Sequence, residues 1–347
     1  MKTHVAHSLI LLSLVLLPAL VVLAGGSREP AASDRGRQSS QPQPSGLQPL
    51  VIGMMPAVDS VPLIVAEAEG FYADEGLDVR LELFRDQSYR EAALAADTID
   101  ATVTDLVNAI RAWENGADYR VLTSTQGIFS VVTAPGSPVR TRADWPSAPA
   151  RLRTGLLEDS IIFYVAQRML EQIGLDPQRM EIIPTTQIPV RLEMLVADRL
   201  DAAVLPEPVT RMAVAEGAHE IVRTDEVFDW TPGVLLATGT ALRQKPAELE
   251  ALLHAYDRAV EAVNTDPDRY RAVIVSTAGF PPPTTNTMRL PGYAPAGPPD
   301  PRHVADVASW MVSRGLLRSA PPYEEIVSSL RGRPDVYSLA IPCAGCN

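Results

Sequence analysis

The chain is poor in cysteine, in histidine, in aromatic residues and in positive charge. Only two cysteines occur, Cys343 and Cys346, spaced as Cys-Ala-Gly-Cys in the final tail. That position excludes a disulfide framework through the fold. Redox pairs of this spacing sit at a helix start after a strand, whereas this one follows Pro342. It reads as a small tail disulfide or as two idle thiols. His219, His254 and His303 are scattered, and a structural zinc needs four ligands brought together. No metal and no cofactor is expected. Aromatic residues make up 5% of the chain, so a flat ligand would find few faces to stack on. Lys and Arg number 30 against 42 Asp and Glu, a formal charge of −12 with no basic stripe. Nucleic-acid binding is excluded on that ground, since its affinity rests on cations meeting phosphates. No Ser-His-Asp or metal spacing is evident, and no phosphate loop occurs.

What is present is apolar material for a real core, 46% of residues, in a length that suggests about two domains. The exception to even patterning is the start. Lys2, His4 and His7 precede a run, Leu9–Ala24, interrupted only by Ser13 and Pro18. Residues 1–24 read as an export signal, either cleaved after Val22-Leu23-Ala24 or kept as an anchor. The run is short for a spanning helix. Gly26 stands where a lipoprotein box would place its lipidated Cys, so lipid attachment there has no chemistry. Residues 25–47 are Gly, Ser, Arg, Gln and Pro and read as a disordered tether.

The segment Leu94–Val121 is echoed without a gap by Leu195–Val222, at a constant offset of 101. Leu94/Leu195, Asp97/Asp198, Asp100/Asp201, Ala101/Ala202, Val103/Val204 and Gly116/Gly217 are among the identities. Each copy reads as a helix end, a tight turn, a buried strand, a polar break and a second helix. Two such copies imply two similar α/β lobes. Around them, Leu50–Met54, Leu77–Phe84, Ile99–Val103 and Arg120–Ser124 read as strands. Val61–Tyr72, Ser88–Ala96 and Leu106–Glu114 read as helices, with Ser88 capping the second. This alternation predicts a parallel sheet. Leu152–Leu156 opens a second unit with helices over Ser160–Ile173, Val190–Ala197 and Val209–Ala215. Val131–Pro138 and Gly233–Ala237 read as crossings between lobes, and Lys245–Thr265, Pro267–Ala278 and His303–Arg314 as further helices. The division expected is 48–137 and 236–335 for one lobe, 138–235 for the other, and 336–347 for the tail. Two crossings make a hinge.

Asp59-Ser60-Val61-Pro62-Leu63, Glu69-Gly70-Phe71-Tyr72 and Glu75-Gly76-Leu77-Asp78-Val79 resemble the opening of type II periplasmic solute-binding proteins of ABC importers. The branch they resemble binds thiamine-precursor pyrimidines, sulfonates and nitrate. Asp100-Ala101, Asp201-Ala202, Pro206-Glu207-Pro208 and Tyr293 through Trp310-Met311 extend the resemblance over roughly residues 48–330. It implies an exported protein of two-lobed α/β fold, two parallel-rich sheets joined by a two-strand hinge. Such a protein hands a small-molecule ligand to a separate membrane permease and ATPase, as a monomer that makes and breaks no bond. Fungal enzymes of the same fold carry a Cys-rich cluster and a reactive His, and no such cluster exists here.

In open α/β sheets, ligands bind beyond the carboxyl ends of strands. Candidate contacts are therefore Asp59 and Ser60 after the first strand, Thr104 and Asp105, Ser124 and Gln126, Asp159 and Ser160, and Glu207. For Asp59, Ser60 and Asp105 a plain helix-capping role stands beside the ligand role. Phe84, Tyr89, Phe129, Phe163, Tyr164 and Trp230 fall near the cleft edges, Phe163 and Tyr164 reading as core. Asp59, Asp105, Glu158, Asp159 and Glu207 outnumber Arg85, Arg90 and Arg191 there, and like charges oppose an anion. The expected ligand is neutral or cationic, a thiamine-type pyrimidine or similar heterocycle. An alkanesulfonate or nitrate binder and an enzyme on the same scaffold are the alternatives.

Overall fold

A computed structural model describes residues 47–149 and 151–330. The expected signal, most of the tether and the cysteine pair lie outside the described residues. No helix among the described residues is long and apolar enough to cross a membrane.

The strands are β1 (Leu50–Met54), β2 (Val79–Leu83), β3 (Ala101–Asp105), β4 (Tyr119–Thr125), β5 (Phe129–Thr133), β6 (Leu152–Leu156), β7 (Met180–Pro184), β8 (Ala202–Pro206), β9 (His219–Arg223) and β10 (Gly233–Thr238). They form two five-stranded sheets, β2-β1-β3-β10-β4 and β7-β6-β8-β5-β9. In each sheet four strands run in one direction, and an antiparallel strand is inserted before the last of them. The inserted strand comes from the crossing: β5 enters the second sheet and β10 returns to the first. The two sheets are thus copies with exchanged fourth strands, and the sequence repeat falls on β3 and β8.

The repeat extends to single groups. Asp97 and Asp198 both hold φ at 52°, the left-handed turn that Asp tolerates. Asp100 Oδ2 accepts the Val51 N–H at 2.8 Å, and Asp201 Oδ2 accepts that of Arg153 at 2.8 Å. Each also meets a cation, Lys245 and Arg153 respectively. The repeated Asp-Ala pair therefore pins strand starts, at the end of the sheet away from the cleft.

The sheets are the parallel-rich pair expected, each with one antiparallel strand that an alternation of strands and helices does not reveal, because it does not say where a returning strand inserts. The boundary near 137 moves back: Val131–Thr133 belong to β5 of the second sheet, and Gly233–Thr238 to the first. An apolar run bounded by Gly127 and Pro135 signals a buried strand, but periodicity cannot name its sheet. Asp86, not Ser88, caps the helix Gln87–Ala95, accepting the Ser88 N–H at 2.8 Å. The first helix breaks at Gly70 (φ 74°) into Val61–Ala68 and Phe71–Asp74.

The first core packs β1–β3 and β10 against the helix Pro246–Thr265. That helix buries Leu249, Leu252, Leu253, Tyr256, Ala259, Val260 and Val263 on one stripe. A second cluster continues across both sheets through the helix Pro301–Ser313, and a smaller one fills the second lobe beneath β8.

Candidate functional site

The carboxyl ends of β1 and β3 carry Asp59, Thr104 and Asp105 to one buried arginine. Arg90, on the helix Gln87–Ala95, is 5% exposed. It donates to the Val103 carbonyl and to Thr104 Oγ1, both at 3.1 Å. Burial lowers its pKa, opposed by Asp105, Glu91 and Asp59. Asp105 caps the helix Leu106–Glu114, accepting from the Asn108 backbone N–H at 2.9 Å and from its side-chain amide at 2.7 Å. The capping role is thus real for Asp105. Burial still raises its pKa, against that bond, Arg90 and Arg111.

Asp59 is half-buried in the short helical turn Val58–Ser60. Burial pushes its carboxyl up to about 6, against the pull of Arg90 and with Asp105 adding to the rise. Ser60 precedes the helix Val61–Ala68 but makes no side-chain cap; its buried hydroxyl lies beside the Asp59 carboxyl and holds that group's pKa down slightly against the burial. Tyr256 OH is buried with no hydrogen-bond partner among the described residues, within the field of Asp59. Orphaned polar atoms are costly to bury and mark places where another group is to be met.

Glu207 follows β8 and is fully buried. Its Oε1 accepts from Arg211 Nε at 3.1 Å, while Oε2 has no partner among the described residues. Burial pushes the carboxyl up to about 7; Arg211 opposes this, Glu220 adds to it and Arg289 opposes it.

The segment between β4 and β5 joins the two groups. A Cβ added at Gly127 would lie 3.6 Å from Asp59 Cβ, and the Glu207 N–H donates to the Ile128 carbonyl at 2.9 Å. Acids from both lobes therefore abut one crossing.

The other candidates are placed differently. The Ser124 N–H donates to Gly297 O at 2.9 Å, and Gln126 Oε1 accepts the Ala294 N–H at 3.0 Å, so both hold the Pro-rich loop over residues 280–301. Ser160 caps the helix Ile161–Gln172, accepting the Phe163 N–H at 3.4 Å and donating to Leu157 O at 2.5 Å. Asp159 is exposed, and its carbonyl accepts from Arg111 of the other lobe. Phe163 and Tyr164 pack on Trp310 as core. Trp230 stacks on His303 with ring centroids 4.0 Å apart, and Tyr89 is 75% exposed.

The acids of the site are paired with cations rather than bare. Arg90 faces Asp59 and Asp105, Arg211 faces Glu207, and Arg314 lies 3.6 Å from Glu158. The i,i+4 spacing of Glu207 and Arg211 was a legible signal of that pair. Glu220 and Arg289 had none, since only the fold brings them to Glu207. Among the described residues, no group of three or more His, Cys, Asp or Glu is placed to hold a metal ion.

Residues 57–270 match the protein-family model described as NMT1/THI5 like. A search of curated proteins gives no match. Among solved structures, the chain is similar to the ligand-binding component of an ABC-type import system from Staphylococcus aureus, solved with zinc bound. The TM-score is 0.69 at 15% identity, over 82% of this chain and 97% of that one. It is similar also to the periplasmic aliphatic sulphonate binding protein SsuA from Escherichia coli, with TM-score 0.65 and 17% identity over 80% and 91% of the two chains. The periplasmic nitrate-binding protein NrtA from Synechocystis PCC 6803 follows at TM-score 0.52 and 13% identity, over 82% and 70%. At these identities the likeness shows the fold: two α/β lobes of the periplasmic-binding-protein type.

Proposed function

The chain belongs to the NMT1/THI5-like family, and from that premise we propose that it is an exported substrate-binding protein of an ABC importer. It takes up a small organic solute between its lobes, closes by bending at the two crossings, and delivers the solute to separate permease and ATPase subunits. It works as a monomer, makes and breaks no bond, and needs no cofactor. The solute is neutral or cationic and rich in N–H donors, such as a thiamine-type pyrimidine. One observation carries this reading: Asp59 and Glu207, acidic residues of opposite lobes, lie beside the same crossing, Asp59 through its Cβ next to Gly127 and Glu207 through its backbone N–H on the Ile128 carbonyl. Ionised acceptors bind N–H donors strongly and repel anions. Asp59, Ser60, Thr104 and Asp105 then form one wall and Glu207 the other. Ser124, Gln126, Asp159 and Ser160 shape its rim.

A second reading has one observation in its favour. Arg191 is the repeat counterpart of Arg90 and is 1% exposed. Its guanidinium donates to Val204 O at 2.8 Å and Thr185 O at 2.6 Å, and burial alone lowers its pKa to about 10. Where Arg90 meets Asp105 and Glu91, the positions 101 residues on are Pro206 and Leu192. This surplus cation favours an anionic solute such as an alkanesulfonate.

Thermal-shift screening separates the two, since a ligand that binds only the native state raises the melting temperature. Stabilisation by pyrimidines and amines, and none by taurine, alkanesulfonates or nitrate, is expected. The reverse pattern keeps the importer role and replaces the ligand class.

A further inference from the structure

Glu207 stands at the end of a chain of four charged groups drawn from both lobes. Arg211 Nε lies 3.1 Å from Glu207 Oε1, and Arg211 Nη2 lies 2.5 Å from Glu220 Oε2. Glu220, on β9, also accepts from Ser130 Oγ of β5 at 2.8 Å. Arg289 reaches the same Glu220 Oε2 at 2.8 Å. Arg289 belongs to the Pro-rich segment after the helix Pro267–Thr277. That segment is held to the first lobe: Met288 O accepts from Arg271 at 2.6 Å, and Tyr293 OH donates to Val58 O at 2.8 Å. The order is therefore Arg289 from the first lobe, then Glu220, Arg211 and Glu207 from the second.

The network uses one carboxylate oxygen of Glu207 and leaves the other, Oε2, buried without a partner among the described residues. A buried carboxylate oxygen left unmet costs more than the bond it lacks. Resting on the importer reading above, we propose that Glu207 Oε2 accepts an N–H bond from the bound solute, and that Glu220 and Arg289 are positioning residues that tune its charge in opposite directions. The groups acting on Glu207 are Arg211 from the helix Val209–Ala215 that follows it, Glu220 from β9 and Arg289 from the Pro-rich segment. Glu220 repels a negative Glu207. Arg289 draws on it directly and also occupies Glu220, which would otherwise pull Arg211 away. Near neutrality Glu207 is poised between its two forms, and only the ionised form gives the strong, charge-assisted bond.

The test is calorimetric titration of 4-amino-5-hydroxymethyl-2-methylpyrimidine, and of its analogue lacking the amino group, from acid to mildly alkaline pH. Wild-type affinity for the amino compound should rise through neutrality, with proton release seen on changing the buffer. Glu207→Gln should abolish that rise and weaken binding roughly tenfold at alkaline pH. Arg289→Gln should move the midpoint upward and Glu220→Gln downward, each by ~0.5 unit or more. Arg289→Lys should restore it. A merely structural role would not move two midpoints in opposite senses. The pH dependence of thermal stability in the ligand-free variants reads the same midpoints should a variant bind poorly. Equal binding by Glu207→Gln, or midpoints that stay together, overturns the proposal and leaves the importer reading intact. Binding of alkanesulfonates with no amino-bearing solute overturns it also. If no solute stabilises the protein, the importer reading itself falls.

Discussion

Asp59 and Glu207 are each held in a folded environment that prefers the protonated acid, and stability must follow. A carboxyl whose folded pKa lies above its unfolded value contributes stability fully below the unfolded value. That contribution is lost as pH rises through the folded one. For Glu207 the window runs from its ordinary 4.5 to about 7, and for Asp59 from 3.8 to about 6. Glu207→Gln keeps the shape and removes the charge. The variant should therefore gain on the wild type as pH climbs through this window, by at most on the order of 3 kcal/mol for a fully buried group. Denaturant melts at pH 5 and pH 8 check it; a constant difference between the two proteins would show that Glu207 does not titrate there. Asp105 differs, because its carboxylate caps a helix. Asp105→Ala should cost ~1 kcal/mol at neutral pH through the lost cap, whatever its part in binding.

At the scale of elements, the repeat was legible because its residues do structural work that only certain side chains can do. Asp97 and Asp198 accept a left-handed turn, and Asp100 and Asp201 tie strand starts together. These demands fix identities, so they survive as matches at a constant spacing. The candidate strand ends at Asp59, Asp105 and Glu207 were legible for a related reason: acids flanked by helix starts stand out after apolar runs. What stayed hidden depends on long-range assembly. The exchange of β5 and β10 leaves no local trace, since a buried strand reads alike in either sheet. Arg289 and Glu220 lie 69 residues apart, and no periodicity links them. The exchange also predicts where the chain is intolerant. Gly239 follows β10 as it docks beside β4, and a Cβ there would sit 2.7 Å from the Asp118 carbonyl oxygen. Backbone cannot yield as a side-chain tip can, so Gly239→Ala should cost ~1–3 kcal/mol. A melting temperature equal to wild type would mean that β10 shifts freely against β4.

At the scale of the whole molecule, the lobes are tied by more than their crossings. The helix Pro301–Ser313 packs on the helix Leu106–Glu114 of the first lobe and is bonded to the helix Ile161–Gln172 of the second. Asp306 accepts from Tyr164 OH at 2.5 Å and from Arg168 at 2.8 Å, and Trp310 Nε1 donates to Gln167 at 2.8 Å. Arg314 lies over the Phe163 ring at 4.6 Å. A hinge protein holds ligand only as firmly as its closed form outweighs its open one, because apparent affinity scales with the fraction of competent molecules. Bonds between helices of different lobes contribute to that balance, and those across Asp306 are partly exposed, hence modest. Asp306→Asn should shift the free protein toward separated lobes and weaken ligand binding a few-fold, about 1 kcal/mol, with faster release rather than slower capture. Small-angle scattering should show a larger radius of gyration without ligand and an unchanged one with it. If both radii and the release rate match the wild type, the helix rides with one lobe alone, and the balance is set at β5 and β10.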